Sequence, residues 1–301
     1  MNATILSAAQ SRASARLMND LVTCARHAGV IADRAKIAEG LALFADRFAS
    51  KPVEIRTTSQ PLAKREVSFR FVDEDARGEV WNIASDWYEI EGEPRAFMDA
   101  ITSAFGIRAE GLDCDVRGGF RKVWAFLDQG FRSERFERLP GAPPALVRVR
   151  SVLERYGLQH MSIVGIDPAN RTCNLYPILR PGWATPEVVA SVARELSFNG
   201  MAEGWLQHIE RSVAANFTFA WDSERVERLA FYRPAMSPEE LPDDELLRQF
   251  ALRCPTVATQ RAYIPSVAYA SSGHYRKVEV DYDGGIVPVL VRCAQVPNEA
   301  P

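Results

Sequence analysis

Five polar residues recur along this chain at nearly one interval: Arg70, Lys122, Asn174, Arg228 and Lys277, separated by 52, 52, 54 and 49 residues. Each lies in a short stretch rich in β-branched and aromatic residues, just after a turn that follows another such stretch. A period of about fifty residues marks repeated supersecondary units, here carrying a polar residue where an apolar one is usual. Four cations and an amide brought together by equivalent strands suit a polyanion such as diphosphate.

The stretches around these residues read as hairpins. Val53–Thr58 pairs with Val67–Val72 across SQPLAKR, and Leu112–Val116 with Phe120–Leu127 across Gly118-Gly119. His160–Ile166 faces Thr172–Leu179 across DPANR, and Ser212–Trp221 faces Arg225–Tyr232 across DSE. The fifth joins Arg261–Tyr269 to His274–Tyr282 through a Ser-Ser-Gly turn. Three-to-four spacing of apolar residues predicts helices over 13–28, 31–48, 79–87, 94–105, 145–156, 186–196, 201–209 and 238–252. Five antiparallel hairpins with helices between them give an α+β chain of about ten strands under an outer helical layer. Closed on itself, such a sheet has no free edges, and a barrel that wide keeps a ligand-sized lumen.

Alternation says which face is which, since residues two apart share one side of a strand. The faces carrying the recurring residues read Ser68, Arg70; Lys122, Trp124, Phe126; Asn174, Tyr176, Ile178; Arg228, Ala230, Tyr232; and Lys277, Glu279, Asp281. The opposite faces carry Phe69, Phe71, Val123, Leu127, Leu175, Leu229, Phe231, Val278 and Val280. The apolar faces pack under the helices, so the polar and aromatic faces point inward. A solvent-facing sheet would also hold Lys and Arg, but seldom with so many large aromatics between them.

A chain of 301 residues with 47% hydrophobic and 25% charged residues is expected to fold as a single domain, with its hairpins within about 51–283. Its net charge of −3 argues against nucleic acid as a partner, and no apolar run reaches membrane-helix length. The five scattered cysteines fit a reducing compartment. Although Arg12 and Arg16 and several Ala and Ser lie near the start, Met18 onward already reads as amphipathic helix. The chain is therefore expected to be cytoplasmic, and a closed barrel to be a monomer. The four histidines show no metal-ligand spacing, and Asp113 and Asp115 read as structural or rim residues.

The segments RGGFRKVWAF (117–126), ERYGLQHMSIVGIDPANRTCNLYP (154–177), RVERLAFY (225–232) and SSGHYRKVEVDY (271–282) resemble the soluble aromatic prenyltransferases of the ABBA, or PT-barrel, family. RTTSQP followed by VSFRF (56–61, 67–71) is most similar to the clorobiocin and novobiocin subgroup. The resemblance runs in order from about residue 50 to 283. It implies a ten-stranded antiparallel barrel of five αββα units. It also implies transfer of a prenyl group, most often dimethylallyl, from its diphosphate to an electron-rich aromatic.

Carried over, Lys122, Asn174, Arg228 and Lys277 match diphosphate-binding positions, and Arg56 and Arg70 match basic positions of that subgroup. Magnesium-dependent relatives hold an aspartate where Arg70 stands, so the resemblance implies catalysis with no metal or other cofactor. Tyr176 would add a hydrogen bond to the diphosphate. Trp124, with Phe126, Phe217, Phe219 and Tyr232, would offer ring faces to an allyl cation. Lys122 would assist departure of the diphosphate. Glu279 matches a subgroup glutamate and would orient the acceptor or take a proton; surrounded by cations, it would be a weak base but a good hydrogen-bond anchor. Ser162 stands where the subgroup has an arginine for the carboxylate of 4-hydroxyphenylpyruvate, which leaves phenols, naphthols, phenazines, indoles and flavonoids open as acceptors. Two alternatives share the fold: a barrel that carries isoprenoid or aromatic ligands without chemistry, and an enzyme that hydrolyses or cyclises prenyl diphosphate.

Overall fold

The computed structural model describes residues 7–198 and 209–298, apart from 211, 236, 242, 272 and 295. The chain opens with helices α1 (Ala8–His27), α2 (Arg34–Leu43) and α3 (Ala45–Ser50). The first hairpin is β1 (Val53–Thr58) and β2 (Val67–Asp73), followed by α4 (Glu79–Trp87) and α5 (Gly92–Ala104). Next come β3 (Ile107–Asp115), β4 (Gly119–Arg132), α6 (Ser133–Glu137) and α7 (Ala145–Arg155). The third hairpin is β5 (His160–Asp167) and β6 (Thr172–Pro177), with α8 (Pro186–Glu195) after it. Strands β7 (Ala214–Ala220) and β8 (Val226–Tyr232) lead to α9 (Glu245–Arg253), then β9 (Tyr263–Ala270), β10 (Gly273–Asp281) and α10 (Ile286–Ala294).

All ten strands pair antiparallel with their sequence neighbours, and β1 pairs with β10 to close the barrel. The outward strand faces carry the residues expected there, from Phe69 and Phe71 on β2 to Val278 and Val280 on β10. They form one core with inward-facing helix residues such as Leu21, Trp81, Phe97, Val189 and Phe250. This explains why helices and strands alternate in sequence: each hairpin buries its apolar face only when a helix covers it. Among the described residues no helix is long and apolar enough to cross a membrane.

Three local expectations need correction. The helical pattern over 31–48 breaks at Phe44, whose backbone (φ −124°, ψ 38°) leaves the helical region and divides α2 from α3. The helix expected over 238–252 starts only at Glu245, where Asp244 caps α9 by accepting from Leu247 N–H, and Pro238–Glu240 is a separate 3-10 turn. The helix predicted over 201–209 falls almost wholly outside the described residues.

Helix α10 was not anticipated, and it shapes the site. Its start is fixed by Asp281, whose carboxylate accepts from the N–H groups of Gly284, Ile286 and Val287. A carboxylate at the first turn suits the helix dipole. Ile286 and Val289 then pack against Val72, Ala109, Trp124, Phe126 and Ile163, which are lumen residues. The helix thus lies across one end of the barrel rather than on its outside.

Candidate active site

Two cavities of similar size occupy the lumen, one toward each end. The first, about 480 Å³, is polar. Lys122 from β4, Arg228 from β8 and Lys277 from β10 project into it beside Asn174 and Thr218. Among the described residues none of these three cations has an ion-pair partner. Arg228 instead donates to the Tyr275 hydroxyl at 3.1 Å, and Lys277 Nζ lies 5.5 Å from the ring centre of Tyr232. The Thr218 hydroxyl donates to Asn174 Oδ1 at 2.8 Å, which fixes the amide with its NH₂ group still available.

Burial without a counter-charge has a marked electrostatic effect. It pushes the Lys122 ammonium down to about 7, against the pull of Asp167 and with the added repulsion of Arg228 and Arg56. Burial and the neighbouring Arg228 and Arg56 move Lys277 well below the ordinary lysine range. Such a cluster is unfavourable when empty, and an incoming polyanion relieves it.

Arg56 and Arg121 enter the same cavity but are already engaged. Arg56 meets Asp113 at 3.1 Å and Glu66 at 3.7 Å, while Arg121 meets Glu66 at 3.2 Å and Asp167 at 3.5 Å. Burial alone would raise the Glu66 carboxyl, but Arg121 and Arg56 hold it down at about 2.

The second cavity, about 490 Å³, is walled by Val72, Phe126, Ile163, Ile264 and, from α10, Val287, Leu290 and Val291. Its inner polar feature is Arg70, which donates from Nη2 to Glu279 Oε1 at 2.9 Å. Arg70 Nε also lies 2.7 Å from Glu54 Oε1, an ion-pair distance without the alignment of a hydrogen bond. Glu54 is fully buried, and burial pushes its carboxyl well up despite Arg70.

Trp124, Tyr176 and Tyr232 line both cavities and form the waist between them. The indole N–H of Trp124 donates to the Tyr176 hydroxyl at 3.2 Å, and the Tyr176 and Tyr232 ring centres are 6.2 Å apart. The Arg70 guanidinium lies 4.7 Å from the centre of the Trp124 ring. Two glycines make room for that ring. Gly111 on β3 and Gly165 on β5 are the register partners of Trp124 on its two sides. A Cβ at Gly165 would sit 2.7 Å from Trp124 Cδ1 and Nε1, and one at Gly111 would sit 3.4 Å from Cε3. The indole therefore lies flat against the barrel wall.

A polyanion chamber, an aromatic waist and an apolar chamber in series match a long amphiphile with a charged head. The description of the aromatic prenyltransferase Orf2 family matches residues 13–293 of this chain. The chain belongs to that family. It is 26% identical over 190 residues to the 5,10-dihydrophenazine-1-carboxylate 9-dimethylallyltransferase of Streptomyces anulatus, covering 61% of this chain and 64% of that protein. It is 33% identical over 135 residues to the flaviolin linalyltransferase of Streptomyces virginiae, covering 44% and 45%. A furaquinocin biosynthesis prenyltransferase from Streptomyces sp. (strain KO-3988) is 30% identical over 140 residues, covering 45% of each chain. These matches thus span about half to two-thirds of the curated relatives. Among solved structures, the 6-dimethylallyltryptophan synthase of Micromonospora olivasterospora, in complex with DMASPP and Trp, superposes with a TM-score of 0.53 over 95% of this chain and 99% of that one, at 13% identity. That likeness concerns the fold, the closed barrel with helices outside.

Within this aromatic prenyltransferase-family barrel the expected site residues divide. Lys122, Asn174, Tyr176, Arg228, Lys277 and Arg56 all border the polar chamber. Arg70 does not: it lies in the apolar chamber, bound between two carboxylates. Phe126, Ser162 and Glu279 also line the apolar chamber. Ser162 reaches the lumen beside Ile163 because a register irregularity between Met161 and Ile163 breaks the alternation of β5.

Phe217 and Phe219 were expected in the lumen, and the structure places them outside it, in the core beneath the helices. The register pairs Leu175 with Phe217 and Asn174 with Thr218, so the small polar residues of β7 face inward. Asp113, expected to be a structural or rim residue, lines the polar chamber and engages Arg56. Sequence reasoning missed Arg121, which joins Lys122 in the chamber because the β3–β4 register slips between Asp113 and Cys114. It also missed Glu54 and Tyr275, although each stands two residues from a named cation on the same strand face.

Proposed function

We propose that this protein transfers a prenyl group, dimethylallyl first among the candidates, from its diphosphate to a ring carbon of an aromatic acceptor. The observation that carries the reading is the set of three cations without ion-pair partners among the described residues, Lys122 and Lys277 buried and Arg228 half-buried, at one end of a lumen whose other end is apolar, with an aromatic waist between.

The diphosphate would sit among Lys122, Arg228 and Lys277, with the Asn174 amide and the Tyr275 hydroxyl as hydrogen-bond partners. The allylic C1 would then lie at the waist and the hydrocarbon tail beyond it. When the C1–O bond breaks, the electron pair leaves with the diphosphate, whose growing charge the preorganised cations stabilise more in the transition state than in the bound donor. The allyl cation is left beside Trp124, Tyr176 and Tyr232, whose ring faces stabilise positive charge. A ring carbon of the acceptor supplies the electron pair for the new C–C bond. The resulting arenium ion regains aromaticity by losing a proton to Glu279 or to the departing diphosphate. Glu279, held at 2.9 Å by Arg70, is fixed in place to orient an acceptor O–H or N–H. The closed wall keeps water from the cation.

The reaction is read as independent of metal and other cofactors. Of the acids of the polar chamber, Asp113, Glu66 and Asp167 are committed to Arg56 and Arg121, and Glu227 to Arg225 and the Ser223 hydroxyl. Among the described residues no group of three His, Cys, Asp or Glu is placed to hold an ion. Four buried free thiols, Cys24, Cys114, Cys173 and Cys254, suit the reducing cytoplasm. A sheet without free edges suits a monomer.

The test is mass spectrometry of products from dimethylallyl diphosphate with phenol, naphthol, phenazine and indole acceptors, with and without EDTA. A prenylated product that persists in EDTA supports the reading. Diphosphate released without any prenylated acceptor would favour a hydrolase or cyclase, and tight donor binding without turnover a carrier.

A further inference from the structure

Among the described residues the apolar chamber has three charged side chains on its wall: Arg70, Glu279 and Arg180. The first two neutralise each other at 2.9 Å. Glu54 stands behind Arg70, and burial pushes it toward its neutral form. The inner end of the chamber therefore offers no spare positive charge and holds an acidic anchor. Arg180 is different: it is exposed, and among the described residues it has no carboxylate partner. It stands on the segment that leaves β6, where its backbone carbonyl accepts from Trp183 N–H at 3.0 Å and sets a turn at the chamber's outer rim. Ser162, a small side chain, lines the same chamber.

From this distribution of charge we infer that Arg180 selects acceptors bearing an anionic substituent, an aromatic carboxylic acid foremost, and orients them with the anion outward and the electron-rich ring inward. The inference rests on the proposed function, since it assigns the apolar chamber to the acceptor. A guanidinium matches a carboxylate through two parallel N–H donors, so one contact fixes both position and rotation of the ring. A carboxylate turned inward would meet Glu279 and a guanidinium already satisfied. Charge thus dictates which end of the acceptor enters first, and with it which ring carbons can reach the waist.

The experiment is calorimetric binding of 1-hydroxy-2-naphthoate and of its neutral carboxamide to the wild type, Arg180→Gln and Arg180→Lys, with turnover of both compounds measured alongside. For Arg180→Gln the acid should bind about two- to fivefold more weakly, as expected for one exposed charge pair, while the carboxamide is unchanged. Arg180→Lys should recover part of the loss, and added salt should weaken only the acid. Donor KM should be unaffected in all three proteins. Equal losses for acid and carboxamide, no loss for either, or failure of the wild type to bind the acid would overturn the inference. Binding that discriminates acid from carboxamide without any prenylated product would instead count against the proposed function and leave the role of Arg180 standing.

Discussion

The two chambers of the lumen are nearly equal in volume and opposite in charge design. In the polar chamber Lys122 and Lys277 are buried and Arg228 half-buried, and among the described residues none of the three has an ion-pair partner. In the apolar chamber the buried cation Arg70 is bracketed by Glu54 and Glu279. On the proposed function the first arrangement holds charge in reserve for the donor's diphosphate; the second uses charge to fix geometry. A cation is therefore not a ligand-binding residue merely by lying in the barrel, and what decides its role is whether the protein has already satisfied it.

Replacing Arg70 with Met should give the largest effect, and on stability. It leaves two buried carboxylates without their cation, and losing one partner of a buried pair costs about 3–5 kcal/mol. The Tm should fall by several degrees, while calorimetry shows donor affinity almost unmoved. Lys122→Ala should do the reverse. Loss of one preorganised charge beside a developing anion lowers kcat/KM for the donor by about 10²–10³, read from initial rates, with no fall in Tm. If Arg70→Met instead abolished donor binding, the division of labour between the chambers would be lost.

Gly165→Ala probes the waist that joins them. The new Cβ must push the Trp124 indole off the wall, at about 1–3 kcal/mol of overpacking. Acceptor KM should rise and tryptophan emission should shift, with diphosphate binding retained. A Gly165→Ala protein with wild-type kinetics would show that the indole's seat is unimportant.

The smallest effect is one of pH. With Lys122 at about 7, the empty chamber loses positive charge as pH rises through that value. Donor Kd should worsen above neutrality by at most about tenfold per pH unit, and binding at pH 8 should take up protons, read as calorimetric heats that vary with buffer. Folding stability runs the other way. Lys122 is depressed from 10.5 in the unfolded chain, so the unfolded state binds more protons and stability rises between pH 7 and 10.5. Donor affinity that is flat from pH 6 to 8.5 would contradict the uncompensated state of the chamber.

Much of this was legible in the sequence, because a strand repeats every second residue and a hairpin announces its turn. The five recurring polar residues all stand on strands of one barrel, and the apolar faces opposite them all lie under helices. What alternation cannot supply is register. Arg70 has Glu54 and Asp113 as neighbours across its two strand pairs, whereas Lys277 has Ser266 and Thr58. Even register is not enough: Asp113 is the register partner of both Arg70 and Lys122 yet turns to Arg56, while Glu279 reaches Arg70 from β10. Contacts across the lumen decide which cation is satisfied, and a single strand read alone does not reveal them. The same gap misplaced Phe217 and Phe219, since ANFTFAW alternates equally well either way round. Helix α10 escaped notice for another reason: it does not interrupt the hairpin rhythm but follows it.

The seam between β1 and β10 has a consequence for how the protein reaches its working state. It sets Arg56 opposite Glu279, residues near the two ends of the chain that become neighbours only when the ring closes. Pairing across so long a stretch of chain carries the heaviest loop-closure entropy of any pair in the sheet, so it is expected late in folding. Until then the lumen is a trough with no inside, and neither chamber exists. Prenyl transfer recovered during refolding would therefore time the last strand pairing itself, making turnover a clock for a topological event that spectroscopy of helices and sheets would pass over.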